Sequence, residues 1–459
     1  MLPRMLSYGM FFDGVTYASI ARNMAEGYGS LWKPYYTDTV YKVFYEQPPF
    51  GLWLQSIAFR AFGDSSLVEQ FWGFIAGLIV IWLIVLIWNE NYPQHDKRRN
   101  SWSPVLLFTS IPLFTWMFAN NMLEITMTVF VMLSAYLSIK SLREERAIHY
   151  VVLSSASGLF ILCAVMVKGP VGLFPIAIPI IGFLTLKEIK LKRAGIVTLI
   201  TMIAFMMAAL MIFTNKEASE FLNRYLETQV FASLSGSRKN VESHLDSLKV
   251  IGREIVVPFI IAVLFSIVFI IKDKAKVKLK ADRMFLFFLL IALSGSLPVM
   301  LSTKLMSWYL FPSFPFYTLA VAYLFENYST RLQNNVANNR RATIVMLILS
   351  AVIFLSSIVI MFTEKNVLRK NKEFHNDFSV QKITLEERQT FSVYPKDLTE
   401  DWGLVANIQR FYKASLSDSA GFKYLLSRKD SPNSEIIISN YHKIHPPSPM
   451  SFVLFKRND

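Results

Sequence analysis

Long apolar runs separated by short polar loops fill the chain from residue 67 to 362. Residues 67–88 (LVEQFWGFIAGLIVIWLIVLIW), 122–139, 151–167, 171–186, 196–213, 255–271, 284–301, 308–325 and 344–362 reach or approach the roughly 17–20 residues that cross a bilayer as a helix, and 105–118 is a shorter run. The pattern predicts an α-helical polytopic membrane protein with about ten spans. Lys97, Arg98 and Arg99 follow the first of these runs. Lys140, Arg143 and Arg146, then Lys187, Lys190, Lys192 and Arg193, then KDKAKVKLKADR, then Arg331, Arg340 and Arg341 occupy every second loop after it. Because cytoplasmic loops concentrate lysine and arginine, this alternation selects one topology. It puts residues 1–66, the turn before Glu124, Lys168, the long loop 214–254, Lys304 and the tail 363–459 together on the outer face.

Both ends depart from the span pattern. Residues 1–66 form a first outer segment whose polar positions are interleaved with Phe, Tyr, Trp and Ile, and YASIARNMAEG within it reads as a short amphipathic helix stopping at Gly27. An outer segment of that length needs a span ahead of it to carry it across, so an apolar span upstream of residue 1 is expected. EFLNRYLETQVFASL in the loop 214–254 has the spacing of a helix lying on the membrane surface. Beyond residue 362 the runs TFSVYP, FKYLLS, SEIIISN and SFVLFK alternate as strands do, with a helical stretch at 402–412, which predicts a small α/β domain over 363–459.

Composition agrees: 53% of the residues are hydrophobic and the mean hydropathy is +0.38. The net charge of +14 lies in the loops between spans, which removes the reason to invoke nucleic acid. The single cysteine, Cys163, sits inside LFILCAVMV and reads as a buried thiol, outside any disulfide framework. His442 and His445 could form a metal pair, but isolated loop histidines are ordinarily solvated.

Candidate chemistry gathers at the outer edge of the spans. Asp13 lies among Phe11, Phe12 and Tyr17, where partial desolvation would make its carboxylate a better base; helix N-capping is the competing reading. Glu124 opens a span, where a carboxylate also favours the positive helix end. Lys168 in Lys-Gly-Pro and Lys304 in STKLMSWYLFP are ordinarily explained as snorkelling lysines, yet both fall on the face where lysines are scarce. Outer-face cations suit an anionic partner, and a lipid phosphate is the one a bilayer supplies. Glu46 before Pro48-Pro49 is a turn residue or an orienting carboxylate. Arg238, His244 and Arg253 in the long loop are further phosphate or sugar candidates.

Five segments in order resemble the C-type (GT-C) membrane glycosyltransferases of the protein O-mannosyltransferase and lipid A aminoarabinose transferase type. FDGVTYASIARNM is similar to their FDxDExxYAxIAxxM, EQPPFGLWLQSIAFRAFG to EKPPLxYWLxALSFKLFG, MLEITMTVF to LDxxLTFF, VKGPVGLFPIAIP to KGPxALxLP, and LSTKLMSWYLFPSFP to SSxKxxxYLLPxYP. The resemblance implies a GT-C-like bundle and transfer of a sugar from a polyprenyl phosphate, undecaprenyl phosphate in bacteria, to a lipid, protein or glycan acceptor outside the cytoplasmic membrane. By position it makes Asp13 the residue that activates the acceptor and Glu46 the glutamate of EKPP. Glu124 takes the place of the family's second aspartate, while Lys168, Lys304 and Tyr309 fall near the donor phosphate. Gly14 stands where the family has glutamate, Gln47 where it has lysine, and Glu124 is one methylene longer than aspartate. No metal or other cofactor is required by such a reaction, since the cations are protein-borne. Competing readings are an oligosaccharyltransferase with a pyrophosphate-linked donor and a lipid-linked sugar transporter. Against transport, the polar residues gather at one membrane edge rather than at the midplane.

Overall fold

The computed structural model describes residues 2–7, 9–91, 100–235, 246–273, 282–302, 306–365, 367, 370, 372–379, 388–431, 440–445 and 451–458. Among them seven helical stretches are long and apolar enough to cross a membrane: Ser66–Glu90, Leu123–Arg143, Ala147–Lys168, Leu191–Phe213, Leu248–Ile267, Arg283–Met300 and Arg340–Thr363. The other predicted spans are broken. Trp102–Thr109 and Pro112–Ala119 meet at 71°. Pro170–Ala177 and Ser307–Ser313 are 3-10 turns that lead into the short helices Ile178–Thr185 and Phe314–Leu324. The count of ten uniform spans is therefore corrected. At Pro112, Pro170 and Pro312 a missing N–H prevents a continuous α-helix.

Ahead of the bundle lie α1 (Phe12–Ala25), a hairpin of Gly29–Ser30 with Lys33–Pro34, and α2 (Phe50–Phe62). Helix α1 forms where expected but is not amphipathic, because every residue from Gly14 to Met24 is buried. Ser66–Glu90 (α3), the bent pair α4 (Trp102–Thr109) and α5 (Pro112–Ala119), and α6 (Leu123–Arg143) follow. Ala147–Lys168 (α7) then returns along α6. Ser134 meets Ser157 at 2.8 Å and Ser141 meets Ser154 at 2.7 Å, hydroxyl pairs of the kind that join helices in an apolar medium. Gly158 lets α7 lie directly on the Thr201 carbonyl of α9 (Leu191–Phe213), with α8 (Ile178–Thr185) between them in sequence. Cys163 on α7 is only partly buried.

The helical run expected over 220–234 is α10 (Lys216–Tyr225) only in its first part; Leu226–Phe231 is a π-helical turn and Ala232–Leu234 a last short α-turn. Helix α10 buries Ala218, Phe221, Leu222 and Tyr225, one face at intervals of three and four, against the aromatic first segment. Phe221 meets Tyr45 at 5.1 Å, and the Arg224 guanidinium lies 4.3 Å over the Tyr45 ring. No residue of Arg340–Thr363 is fully buried, so most of its surface is left for lipid.

The C-terminal sheet has five strands in the order Ser415–Ser417, Thr390–Tyr394, Tyr424–Arg428, Phe452–Arg457 and Tyr441–His445. The first three are parallel to one another and the last two join antiparallel. Of the strands predicted, 434–440 falls almost wholly outside the described residues; Ser415–Ser417 and Tyr441–His445 were not predicted. The helix Trp402–Tyr412 has the predicted bounds and is buried between the sheet and α1. His442 pairs with Asn458 at 2.9 Å.

Charge fastens the sheet unit to the bundle. Arg410, 5% exposed, holds Asp64 at 2.6 Å and the buried Glu69 at 3.1 Å. Arg22 of α1 donates to the carbonyls of Gln409 (3.0 Å) and Arg410 (2.8 Å), closing the C-terminal turn of that helix with a cation, where the helix dipole favours one. Burial, with Arg410 adding, pulls the Arg22 guanidinium down to about 10, still charged at neutral pH.

Candidate active site

Three elements converge at the outer end of α7. Asp13 lies in the first turn of α1, half-buried, and does not cap the helix, since the N-cap position belongs to Phe11. The tight turn at Asn120 and Asn121, with Asn121 at φ 49°, clamps this end of α1. Asn120 accepts from the Phe11 amide at 2.6 Å, Asn121 donates to the Gly14 carbonyl at 3.0 Å, and Gln55 donates to Asn121 at 2.8 Å. A Cβ on Gly14 would run into the Asn120 carbonyl, so the glycine is what allows this contact.

One turn after Asp13, the Tyr17 hydroxyl accepts a hydrogen bond from Lys168 Nζ at 2.8 Å. The same ammonium is 3.2 Å from Glu124 Oε1, and the two side chains are 4% and 0% exposed. Lys168 is therefore a buried partner of two groups, not a snorkelling lysine. Burial pushes the Tyr17 hydroxyl well above the usual phenol range, and Asp13, Glu124, Tyr309 and Glu46 add to the shift in that order. Those groups thus surround one phenol closely enough for their charges to act on it. Tyr17 was missed from sequence because an aromatic at helical spacing reads as core; its place four residues after Asp13, one helical turn, was the available signal.

An apolar cavity of about 730 Å³ opens from this cluster. Glu46, Glu124, Lys168, Tyr225 and Tyr309 form its polar end, and Val171, Phe174, Ile176, Ile180 and Val299 line its apolar part. The Tyr41 hydroxyl donates to Glu46 at 3.3 Å. Tyr225 comes from the buried face of α10, and its hydroxyl sits against Gly169, which at φ +91° turns the chain after Lys168 and has no space for a Cβ. Sequence reasoning passed over Tyr225 for the same reason as Tyr17. Beside the cluster, Trp308 stacks on Trp116 at 5.3 Å and Phe11 meets both rings.

Asp13, Glu46, Glu124, Lys168 and Tyr309 are thus brought to one region. Arg253 is not: it is exposed and paired with Glu254 (3.0 Å), whose other oxygen accepts from the Leu113 amide at 2.9 Å, so it belongs to the packing of the bent pair α4–α5. Lys304, Arg238 and His244 lie outside the described residues.

The chain is similar to known proteins in sequence and in fold. A protein-family model described as dolichyl-phosphate-mannose-protein mannosyltransferase matches residues 46–213. In structure, ArnT from Cupriavidus metallidurans in the apo state superposes with a TM-score of 0.62 at 13% identity, covering 96% of this chain and 92% of that one. The chain shares the fold of ArnT, a C-type (GT-C) bundle. The ArnT structure bound to undecaprenyl phosphate matches the same GT-C fold with a TM-score of 0.58 at 15% identity, covering 96% and 93%. The undecaprenyl phosphate-alpha-4-amino-4-deoxy-L-arabinose arabinosyl transferases of Yersinia pestis (strain Pestoides F) and Yersinia pseudotuberculosis serotype O:3 (strain YPIII) are each 28% identical to this chain over 208 residues, 43% of its length. The match spans about a third (34%) of the length of those relatives.

Proposed function

We propose that the protein transfers a sugar from a polyprenyl phosphate, undecaprenyl phosphate in bacteria, to a lipid, protein or glycan acceptor at the extracytoplasmic face of the cytoplasmic membrane. The observation that carries this reading is the buried Lys168 ammonium, held by Tyr17 and Glu124 at the polar end of an apolar cavity between helices. A lipid phosphate has the matching shape: an anionic head and an apolar tail. The names of the relatives and the carrier lipid bound in the ArnT structure point the same way.

In the reaction, an acceptor hydroxyl oxygen attacks the anomeric carbon and the bond from that carbon to the phosphate oxygen breaks. The phosphate departs with the electron pair as polyprenyl monophosphate. Lys168, with N–H groups beyond the one it donates to Tyr17, and the Tyr309 hydroxyl stabilise that charge. Asp13 takes the acceptor proton, and a single displacement inverts the anomeric centre. Lys304 completes the cation set in this reading. Glu46 orients the polar end through its bond to Tyr41.

The test uses the full chain in lipid nanodiscs, a panel of radiolabelled undecaprenyl-phosphate sugars and membrane extract as acceptor. Time-dependent loss of label from the carrier, abolished in Asp13→Asn with donor binding kept, is expected. Turnover of pyrophosphate-linked donors alone would replace this reading with an oligosaccharyltransferase. Normal turnover by folded Asp13→Asn would refute the assignment of Asp13.

A further inference from the structure

Glu124 stands in the wall of the cavity with its side chain fully buried, and neither carboxylate oxygen has a hydrogen-bond partner among the described residues. Lys168 answers its charge from 3.2 Å, but the aligned hydrogen bond of that ammonium goes to Tyr17. A buried acceptor left without donors is costly, and such groups in native proteins are ordinarily satisfied, here by what the cavity receives. The neighbours of Glu124 there suit a sugar: Glu46 and Gln47 line the same polar end.

We infer that Glu124 selects the donor sugar, its two oxygens accepting hydrogen bonds from adjacent hydroxyls or an amino group of the ring while Lys168 holds the carrier phosphate. This rests on the donor reading above and adds a division of labour to it. The phosphate end binds any polyprenyl phosphate, and the carboxylate distinguishes what is attached. Hydroxyl and amino donors offer the same chemistry to a carboxylate, and the choice of probes separates them.

The experiment is competition against tritiated undecaprenyl phosphate bound to the full chain in nanodiscs. Competitors are unlabelled undecaprenyl phosphate and its conjugates with glucose, mannose, galactose and 4-amino-4-deoxy-L-arabinose. Wild type is expected to prefer at least one conjugate over the bare carrier by about tenfold to a hundredfold, the worth of hydrogen bonds to a charged group. Glu124→Gln keeps the shape and removes the charge. Glu124→Asp keeps the charge beside Lys168 and withdraws the oxygens. Both should lower the ratio of conjugate to bare-carrier affinity by at least about threefold, the ratio being the readout because Glu124→Gln also releases Lys168 and so changes the affinity for the bare carrier itself. An amino sugar as the preferred conjugate, losing more in Glu124→Gln than in Glu124→Asp, identifies an ammonium; equal losses on a neutral sugar identify hydroxyls. The inference is overturned if wild type shows no preference, if the preference survives both variants, or if the variants weaken bare carrier as much as conjugate. Failure of the labelled carrier to bind wild type would defeat the donor reading itself, and this inference with it.

Discussion

Replacing Lys168 with methionine separates the stability of the buried pair from its chemistry. At 3.2 Å and an effective dielectric of about 20, the attraction between Lys168 and Glu124 is roughly 5 kcal/mol, and desolvating the two ions costs several kcal/mol each, so the pair as a whole contributes little. Removing one partner is different. Lys168→Met strands a fully buried carboxylate and should cost about 3–5 kcal/mol. Glu124→Gln with Lys168→Met removes both charges and should return the unfolding midpoint to within about 1 kcal/mol of wild type. Transfer should not return. Loss of the ammonium at the departing phosphate should cut turnover by about 10²–10³ in the single and double variants alike. The assays are tryptophan-fluorescence melts in nanodiscs at one scan rate, beside single-turnover transfer of labelled sugar. Recovery of transfer together with stability in the double variant would show that Lys168 only neutralises Glu124. An unchanged midpoint in Lys168→Met would show that the carboxylate does not need its partner.

Three further outcomes are expected. Arg410→Met leaves the buried Glu69 without its partner and should lower stability by about 3–5 kcal/mol, with protease cleavage appearing between the last span and the sheet; a resistant variant would refute the weld. Gly14→Ala places a methyl against the Asn120 carbonyl and should cost about 1–3 kcal/mol and displace Asp13, so transfer falls while donor binding holds; full activity would disprove the tight contact. Burial pulls the His375 imidazole down to about 4, whereas the unfolded chain takes up a proton near pH 6.5, so stability rises with pH across that window and is lost on acidification, by roughly 3 kcal/mol over the full shift. His375→Phe should flatten the melting profile between about pH 6.5 and 4; an unchanged slope would contradict the assignment.

The bundle was legible in the sequence where apolar runs are uninterrupted: the run 67–88 is the core of Ser66–Glu90, and 344–362 of Arg340–Thr363. It was less so at 105–118, 171–186 and 308–325, where proline turns a run of spanning composition into a bend or a 3-10 lead-in. Composition carries no record of direction, so a bent run and a straight one read alike. In the site, the charged residues stood out because ionised groups are rare beside apolar runs. Tyr17 and Tyr225 did not, because a phenol at helical spacing is usually core, and only the placement of Lys168 gives their hydroxyls a use. Arg253 shows the converse: its charge attracted notice, but Glu254 beside it was the partner. Arg22 and the carbonyl of Arg410 lie 388 positions apart, a contact that no local pattern encodes.

That last contact bears on how turnover is choreographed. Asp13 and Arg22 share one buried helix, and through Arg22 and Arg410 that helix is bolted to the sheet unit and to the start of α3. The helix bearing Asp13 therefore moves as a block with the outer domain or stays still with it. The lining of the cavity is built differently. Its α9 contribution is 11% buried along its span, and the 3-10 turn at Pro170–Ala177 replaces a regular helix. Carrier lipids should come and go by yielding on that side, like a sliding panel facing a fixed bench on which the acceptor is worked.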